Sequence, residues 1–173
     1  HIDHELLMKC LQPHVSEKWV LLYIERWIKV PVVNKKGESI RRERGTPQGG
    51  VISPLLANIF LHFVFDKWME KFHGENKFER YADDIIVHCK SKEEAERLLK
   101  EINERMDKCI LQLHPAKTKI FYCKDYRRKK KEGNVSFTFL SHTFKPRRHK
   151  SLYGQGYYLG FSPAISIQAR KDK

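Results

Sequence analysis

The stretch FERYADDIIVHCKS, residues 78 to 91, sets two adjacent aspartates, Asp83 and Asp84, between two apolar runs. The pattern on either side predicts a β-hairpin with both carboxylates at its turn. Phe78 and Tyr81 precede the turn, and Ile85, Ile86 and Val87 follow it. Strands of that kind belong in a buried sheet, which would draw two like charges toward low-dielectric surroundings, where they repel. On a solvated turn, by contrast, aspartates are common and cost little. A bound divalent cation would remove the repulsion. Mg²⁺ prefers carboxylate and phosphate oxygens. Two such ions about 4 Å apart stabilise both the attacking and the leaving oxygen of phosphoryl transfer.

The rest of the chain is strongly basic. Among 173 residues, 34 are Lys or Arg and 21 are Asp or Glu, a formal net charge of +13. That excess favours a polyanionic partner, either nucleic acid or an anionic membrane. No apolar run approaches the roughly 20 residues that span a bilayer. The basic segment has no clear amphipathic helix, so a membrane partner is not expected. Residues 124 to 150 hold ten Lys and Arg against Asp125 and Glu132, and so carry +8 of the total. Paired carboxylates in a basic chain suggest nucleotidyl transfer on nucleic acid. Cys10, Cys89, Cys109 and Cys123 show no CxxC spacing, and no zinc site is expected. Reduced thiols in an intracellular protein fit better. The chain opens at His1 without a signal-peptide pattern and reads as an excised piece.

Residues 3 to 30 read as two helices. Asp3 is a candidate N-cap for the first, with Leu6, Leu7 and Cys10 on one face. Ser16 is a candidate cap for the second, with Trp19, Leu22, Tyr23 and Trp27 on one face, and Pro31 ends it. VVNKKGESIRRERG reads as a hairpin or loop turning at Gly37. TPQGGVISP is rich in turn residues, and Pro54 suits the first turn of a long helix capped by Ser53. That helix is apolar nearly all round and is expected to be buried, ending at Gly74.

After the aspartate hairpin, Ala95, Leu98, Leu99, Ile102 and Met106 mark one stripe of an amphipathic surface helix. LQLHPAKTKIFYC reads as a turn and a strand. The run at 127 to 131 is a loop, VSFTFLSHTFKP a further hairpin, and LYGQGYYLGFSP a short strand pair or an exit linker. Helices alternating with antiparallel hairpins predict an α+β fold, with helices packed on one face of a sheet.

These residues reach a known family. YADD, residues 81 to 84, resembles the Tyr-x-Asp-Asp motif of reverse transcriptases. RGTPQGGVISPLLANIFLH (44 to 62) is similar to the segment preceding that motif in group II intron maturases. LQLHPAKTKI (111 to 120) resembles the motif that follows, and FTFLSHTFKPR (137 to 147) the primer-grip hairpin. The resemblance implies an RNA-directed DNA polymerase palm spanning residues 1 to 150, with 151 to 173 starting a connection toward a thumb. It implies that Asp83 and Asp84 hold Mg²⁺, for which Mn²⁺ can substitute, with Asp83 the firmer ligand. Tyr81 would pack near the primer terminus. Gln48, with Pro47, Gly49 and Gly50, would line the pocket for the incoming deoxynucleoside triphosphate and template base, and Arg44 would contact phosphate or template. Lys117 would act on the leaving pyrophosphate, as acid or as charge clamp; it also reads as an exposed lysine after a turn. Phe139, Leu140, Ser141 and His142 would form the primer grip. Arg127, Arg128, Lys129, Lys130 and Lys131 would bind nucleic acid.

Departures from the family pattern sharpen the expectation. Relatives carry a first catalytic aspartate on a strand just before the helix that here begins HIDHELLMK. Asp3 matches the trailing aspartate of that pattern rather than the metal ligand. On this reading the first ligand and the fingers region lie outside the chain, and the fragment alone is expected to polymerise poorly or not at all. The primer grip carries Ser141 and His142 where relatives usually have Gly and an aromatic, which bears on the tightness of that turn. The implied partners are RNA template, intron RNA and DNA primer, within a ribonucleoprotein of the bacterial cytoplasm. Repelling charges at Asp83 and Asp84 make a homodimer or a rearranged edge strand plausible. Two alternatives stay open. One is a non-catalytic RNA-binding splicing module, using residues 127 to 131 and 145 to 150 with Tyr153, Tyr157 and Tyr158. The other is a reverse transcriptase of a retron, a diversity-generating element or a CRISPR-associated system.

Overall fold

In the computed structural model, which describes every residue except 1, 34–35, 41, 48, 129–132, 152–153 and 172–173, helix α1 (His4–Leu11) starts where its sequence predicts. The Asp3 carboxylate accepts a hydrogen bond from the Leu6 amide at 3.0 Å. Helix α2 (Lys18–Lys29) follows and stops before Pro31. Glu17, not Ser16, stands at its N-cap, and no side chain caps the first turn. The helix also buries a different face from the one expected. Ile24 and Ile28 enter the core, while Trp19, Leu22, Tyr23 and Trp27 are exposed. Both sides of α2 are apolar. The slimmer aliphatic side packs inward, and the rings form an outward ladder with centroids 6.3 and 6.1 Å apart.

Strands β1 (Val32–Val33) and β2 (Ser39–Ile40) pair antiparallel around Gly37, whose φ is +82°. Helix α3 (Ser53–Leu61) carries Pro54 in its first turn. Ser53 does not cap it: Ile52 holds that position, and the Ser53 hydroxyl donates to the Pro47 carbonyl at 2.6 Å. The helix widens into a π turn over His62–Asp66 and continues as α4 (Lys67–Phe72). It is buried on one side only. Leu56, Phe60, Phe65 and Met69 are enclosed, whereas Leu55 and Phe72 are exposed.

Strands β3 (Phe78–Tyr81) and β4 (Asp84–Val87) form the predicted hairpin. Helix α5 (Lys92–Lys108) is capped by Ser91, which accepts from the Glu94 amide at 3.1 Å. Leu98, Ile102 and Met106 of its predicted stripe are buried. They join the core built by α1, α2, the α3–α4 helix and, at its margin, Phe78, Ile85 and Val87. Arg105 of α5 donates from Nε to the Val64 carbonyl at 2.9 Å, giving a partner to a carbonyl of the π turn.

These elements make one compact unit, His1–Leu113; the second is His114–Lys173. The second holds β5 (Phe137–Phe139), β6 (His142–Lys150) and β7 (Tyr157–Ile165), an antiparallel sheet in the order β5-β6-β7, and a short helix α6 (Ile167–Lys171). Stacked and tilted phenylalanines form its interior, with Phe137 at 5.2, 4.9 and 6.1 Å from Phe121, Phe144 and Phe161. Three expectations change here. The strand expected within LQLHPAKTKIFYC is absent among the described residues. The amides of Lys117 and Thr118 instead turn back onto the His114 carbonyl, and Phe121 makes a single bridge to Asn134. LYGQGYYLGFSP leads into a nine-residue strand, β7, paired along its length with β6. Among the described residues the strands lie in three small antiparallel sheets rather than in one sheet backed by helices.

Candidate active site

The β3–β4 register pairs Tyr81 with Asp84, leaving Ala82 and Asp83 as a two-residue turn. Ala82 has φ +52°, the positive value that a type II′ hairpin turn requires at its first central position and that a residue with a Cβ adopts at a cost. Alternation aims Phe78, Arg80, Ile85 and Val87 toward the core side and Tyr81 and Asp84 away from it. Asp83 and Asp84 are therefore exposed, as is Tyr81. The expectation of a low-dielectric setting is corrected: the core packs through Phe78, Ile85 and Val87 against one face of this two-stranded hairpin, and both carboxylates stand exposed at its tip.

Arg80 anchors that tip. Its Nε and Nη2 donate to the two Asp66 oxygens, both at 2.7 Å, and Nη1 donates to Asn58 Oδ1 at 2.9 Å and to the Ala82 carbonyl at 3.0 Å. The second Asp66 oxygen also lies 3.1 Å from His62 Nδ1. Burial by itself would raise the Asp66 carboxyl, but the bonds from Arg80 and His62 outweigh it and bring it below the ordinary carboxylate range. The same pair holds the Arg80 guanidinium above its usual value. The π turn presents Asp66 to the hairpin, so a distortion of the helix and the orientation of the turn are linked. Sequence reasoning missed this anchor. The signals were a His and an Asp four apart in the apolar helix and an arginine just before Tyr81.

Residues 44 to 50 form a loop knit to the start of α1. The backbones of Arg44 and Asp3 pair in a single antiparallel β-bridge, the Gly45 amide donates to the Ile2 carbonyl at 2.7 Å, and His4 Nε2 lies 2.7 Å from the Gly45 carbonyl oxygen. Arg42 Nη1 donates to the Thr46 carbonyl at 2.8 Å. The Gly50 amide closes a turn onto Pro47 at 3.2 Å. Gly49 has φ +79°, and a Cβ on Gly50 would come within 2.7 Å of Ser53 Oγ, so both positions require glycine. Arg44 is exposed. Gln48 lies outside the described residues.

The remaining candidates belong to the second unit. Lys117 is exposed in the turn after His114. Phe139 pairs with His142, so Leu140 and Ser141 form a two-residue turn with φ of +46° and +63°. The turn is tight although neither residue is glycine. Arg127 and Arg128 donate their amides to Asp125 Oδ1, and Arg127 Nε donates to the Tyr126 hydroxyl at 2.7 Å. Lys129, Lys130, Lys131 and Tyr153 lie outside the described residues. Tyr81, Asp83 and Asp84 thus share one hairpin, and Arg44, Pro47, Gly49 and Gly50 share one loop.

Residues 1–144 match the family model of the reverse transcriptases, RNA-dependent DNA polymerases. The chain belongs to this family. It is 27 % identical over 187 residues to Protein YkfC of Escherichia coli K12, covering 89 % of this chain and 45 % of that protein. It is 28 % identical over 126 residues to the group II intron-encoded protein LtrA of Lactococcus lactis subsp. cremoris, covering 69 % of this chain and 20 % of LtrA. The chain therefore spans less than half the length of either relative. The resemblance to group II intron-encoded reverse transcriptases holds. Among the described residues no helix is long and apolar enough to cross a membrane.

Proposed function

We propose that this chain carries catalytic carboxylates of an RNA-directed DNA polymerase of the group II intron type, in the manner of a polymerase palm. The observation that supports this reading is the β3–β4 turn: adjacent, exposed Asp83 and Asp84 on a tip pinned by Arg80. Among the described residues neither carboxylate has an ion-pair partner, and hard oxygens of that kind suit Mg²⁺, or Mn²⁺ in its place. Bound there, the metal would neutralise charge gathering on the triphosphate and on the attacking primer oxygen.

The chain's own residues bind and orient. Asp83 and Asp84 supply the ligands, Asp83 the firmer one. Tyr81 shares the outward face with Asp84 and would pack beside the primer end. Pro47, Gln48, Gly49 and Gly50 would border the deoxynucleoside triphosphate and template base, where the missing side chains let backbone approach. Arg44 would pair with phosphate. Lys117 would hold or protonate the departing pyrophosphate, and residues 139 to 142 would steady the DNA primer. The partners are an RNA template and intron RNA, in a ribonucleoprotein.

Two measurements test this. In DNA primer extension on an RNA template with Mg²⁺, Asp83→Asn abolishes whatever synthesis the chain supports; unchanged synthesis in that variant defeats the proposal. Independently of turnover, Mn²⁺ is expected to broaden the NMR amide signals of Asp83 and Asp84 before others. Equal broadening in an Asp83→Asn/Asp84→Asn protein would also defeat it.

A further inference from the structure

The β5-β6-β7 sheet has two unlike faces. Alternation places Phe137, Phe144 and Phe161 on one, where they form the interior described above. The other carries Lys145, Arg147 and His149 of β6 and Tyr158 of β7. Neither β6 nor β7 contains an Asp or Glu. His149 and Tyr158 are direct cross-strand partners, with ring centroids 5.5 Å apart and planes 28° from parallel. Tyr126 is tied to β7 by its amide, which donates to the Leu159 carbonyl at 2.8 Å. Its ring sits edge-on to Tyr158 at 6.2 Å, and the Arg127 guanidinium lies 5.1 Å from the centre of the Tyr126 ring. Gly160 leaves space for the ladder, since a Cβ there would lie 2.9 Å from His149 Cδ2.

Tyr126 and Tyr158 are 54 % and 46 % exposed. Strand pairing and neighbouring rings hold these side chains, not burial, so little ordering is left to a ligand. Tyr158 stacked on His149 with Tyr126 edge-on beside it, Arg127 against Tyr126, Lys145 on the same sheet face and Arg147 held there by the Ser162 and Thr143 carbonyls at 3.3 Å match the chemistry of an unpaired strand, whose bases offer π-faces and whose phosphates offer charge. A duplex hides its base faces within the stack and does not match.

We propose that this sheet face is a stacking platform for single-stranded nucleic acid, centred on Tyr158, His149 and Tyr126. The proposal rests on the nucleic-acid reading above and adds a binding surface outside the residues assigned there. RNA and DNA strands share the recognised chemistry, so both are tested.

The experiment is fluorescence anisotropy with the full chain. The probes are labelled ten-nucleotide single strands of RNA and of DNA, and a duplex of the same sequence. Tyr158→Ala and Tyr126→Ala are each expected to weaken single-strand binding about tenfold. Tyr158→Phe and Tyr126→Phe keep the ring and stay within about twofold, as does Tyr157→Ala on the opposite face. A Tyr158→Trp protein is expected to lose fluorescence with either single strand, beyond the response of the parent; this reading survives even if an alanine variant unfolds. Alanine variants that keep the parent's circular dichroism and its affinity overturn the proposal. So does an unquenched Tyr158→Trp protein, or a duplex bound as tightly as the single strands. If Asp83→Asn abolishes extension while Tyr158→Ala binds normally, the platform alone fails; the converse pair of results defeats only the polymerase reading.

Discussion

Arg80 and Asp66 meet in two parallel hydrogen bonds, Nε to Oδ1 and Nη2 to Oδ2, with both side chains nearly enclosed at 11 % and 14 % exposure. The planar guanidinium fork suits this geometry, and an ammonium would not reproduce it. Because Arg80 also holds the Ala82 carbonyl, the pair fixes the turn that presents Asp83. Asp66→Asn leaves a largely buried arginine facing a neutral amide. It is expected to cost about 2–3 kcal/mol, somewhat less than loss of a partner in a fully buried pair. A urea melt measures this; a change below about 0.5 kcal/mol would show that the anchor matters little to the fold.

The same pair predicts a pH dependence. The Asp66 carboxyl lies below its ordinary value of 3.8, despite burial, because Arg80 and His62 bind its charged form. A group depressed in this way contributes stability in full above its unfolded value and loses it as pH falls through the folded one. The stability gap between the parent and Asp66→Asn is therefore expected to be widest above about pH 5 and to shrink below about pH 4. Urea midpoints across that range measure it, and a gap that widens with acidification contradicts the assignment.

Asp83 and Asp84 behave oppositely. Both are exposed, so Asp83→Asn and Asp84→Asn are expected to shift stability by no more than about 0.5 kcal/mol. Each removes a carboxylate that would bind Mg²⁺. Melting curves beside Mn²⁺ broadening separate the two effects; a large loss of stability would mark the pair as structural.

Leu140 and Ser141 both carry positive φ in the β5–β6 turn. The left-handed conformation costs a residue with a Cβ about 1 kcal/mol, part of which glycine gives back through its freer unfolded chain. Ser141→Gly is expected to stabilise by about 0.5 kcal/mol, seen as a higher urea midpoint at unchanged slope.

Gly50→Ala drives a methyl group to 2.7 Å from Ser53 Oγ and 3.2 Å from the Pro47 carbonyl oxygen. The Ser53–Pro47 hydrogen bond at the start of α3 cannot persist unaltered beside it. A loss of about 1–2 kcal/mol is expected by calorimetry. Gly154→Ala, where the added Cβ meets nothing within 4 Å, serves as the control.

Local patterns were legible where one force decided the outcome. The Asp3 cap, the Leu98–Ile102–Met106 stripe and the Tyr81–Asp84 hairpin all follow from spacing along a single element. The face of α2 was not, because both of its sides are apolar and only its neighbours select Ile24 and Ile28 over Trp19 and Trp27. The strand expected near Lys117 failed because strand-like composition supplies no partner. In the candidate site, Asp83 and Asp84 could be found from their adjacency. Their exposure depends on how many strands flank them, and their anchor joins residues 14 apart across a helix distortion that no periodicity announces.

That distortion has a consequence for chain length. A π turn accommodates one residue more than an α turn, so everything after it is rotated by roughly 100° relative to an unbroken helix. Ahead of the turn, Phe60 is in phase with the core; within it, Asp66 is in phase with Arg80. Deleting a single residue from His62–Asp66 would straighten the helix and put those two alignments out of step. The surplus residue lets one rod serve two clients whose angular demands differ, so that a change in count within it satisfies one only at the expense of the other.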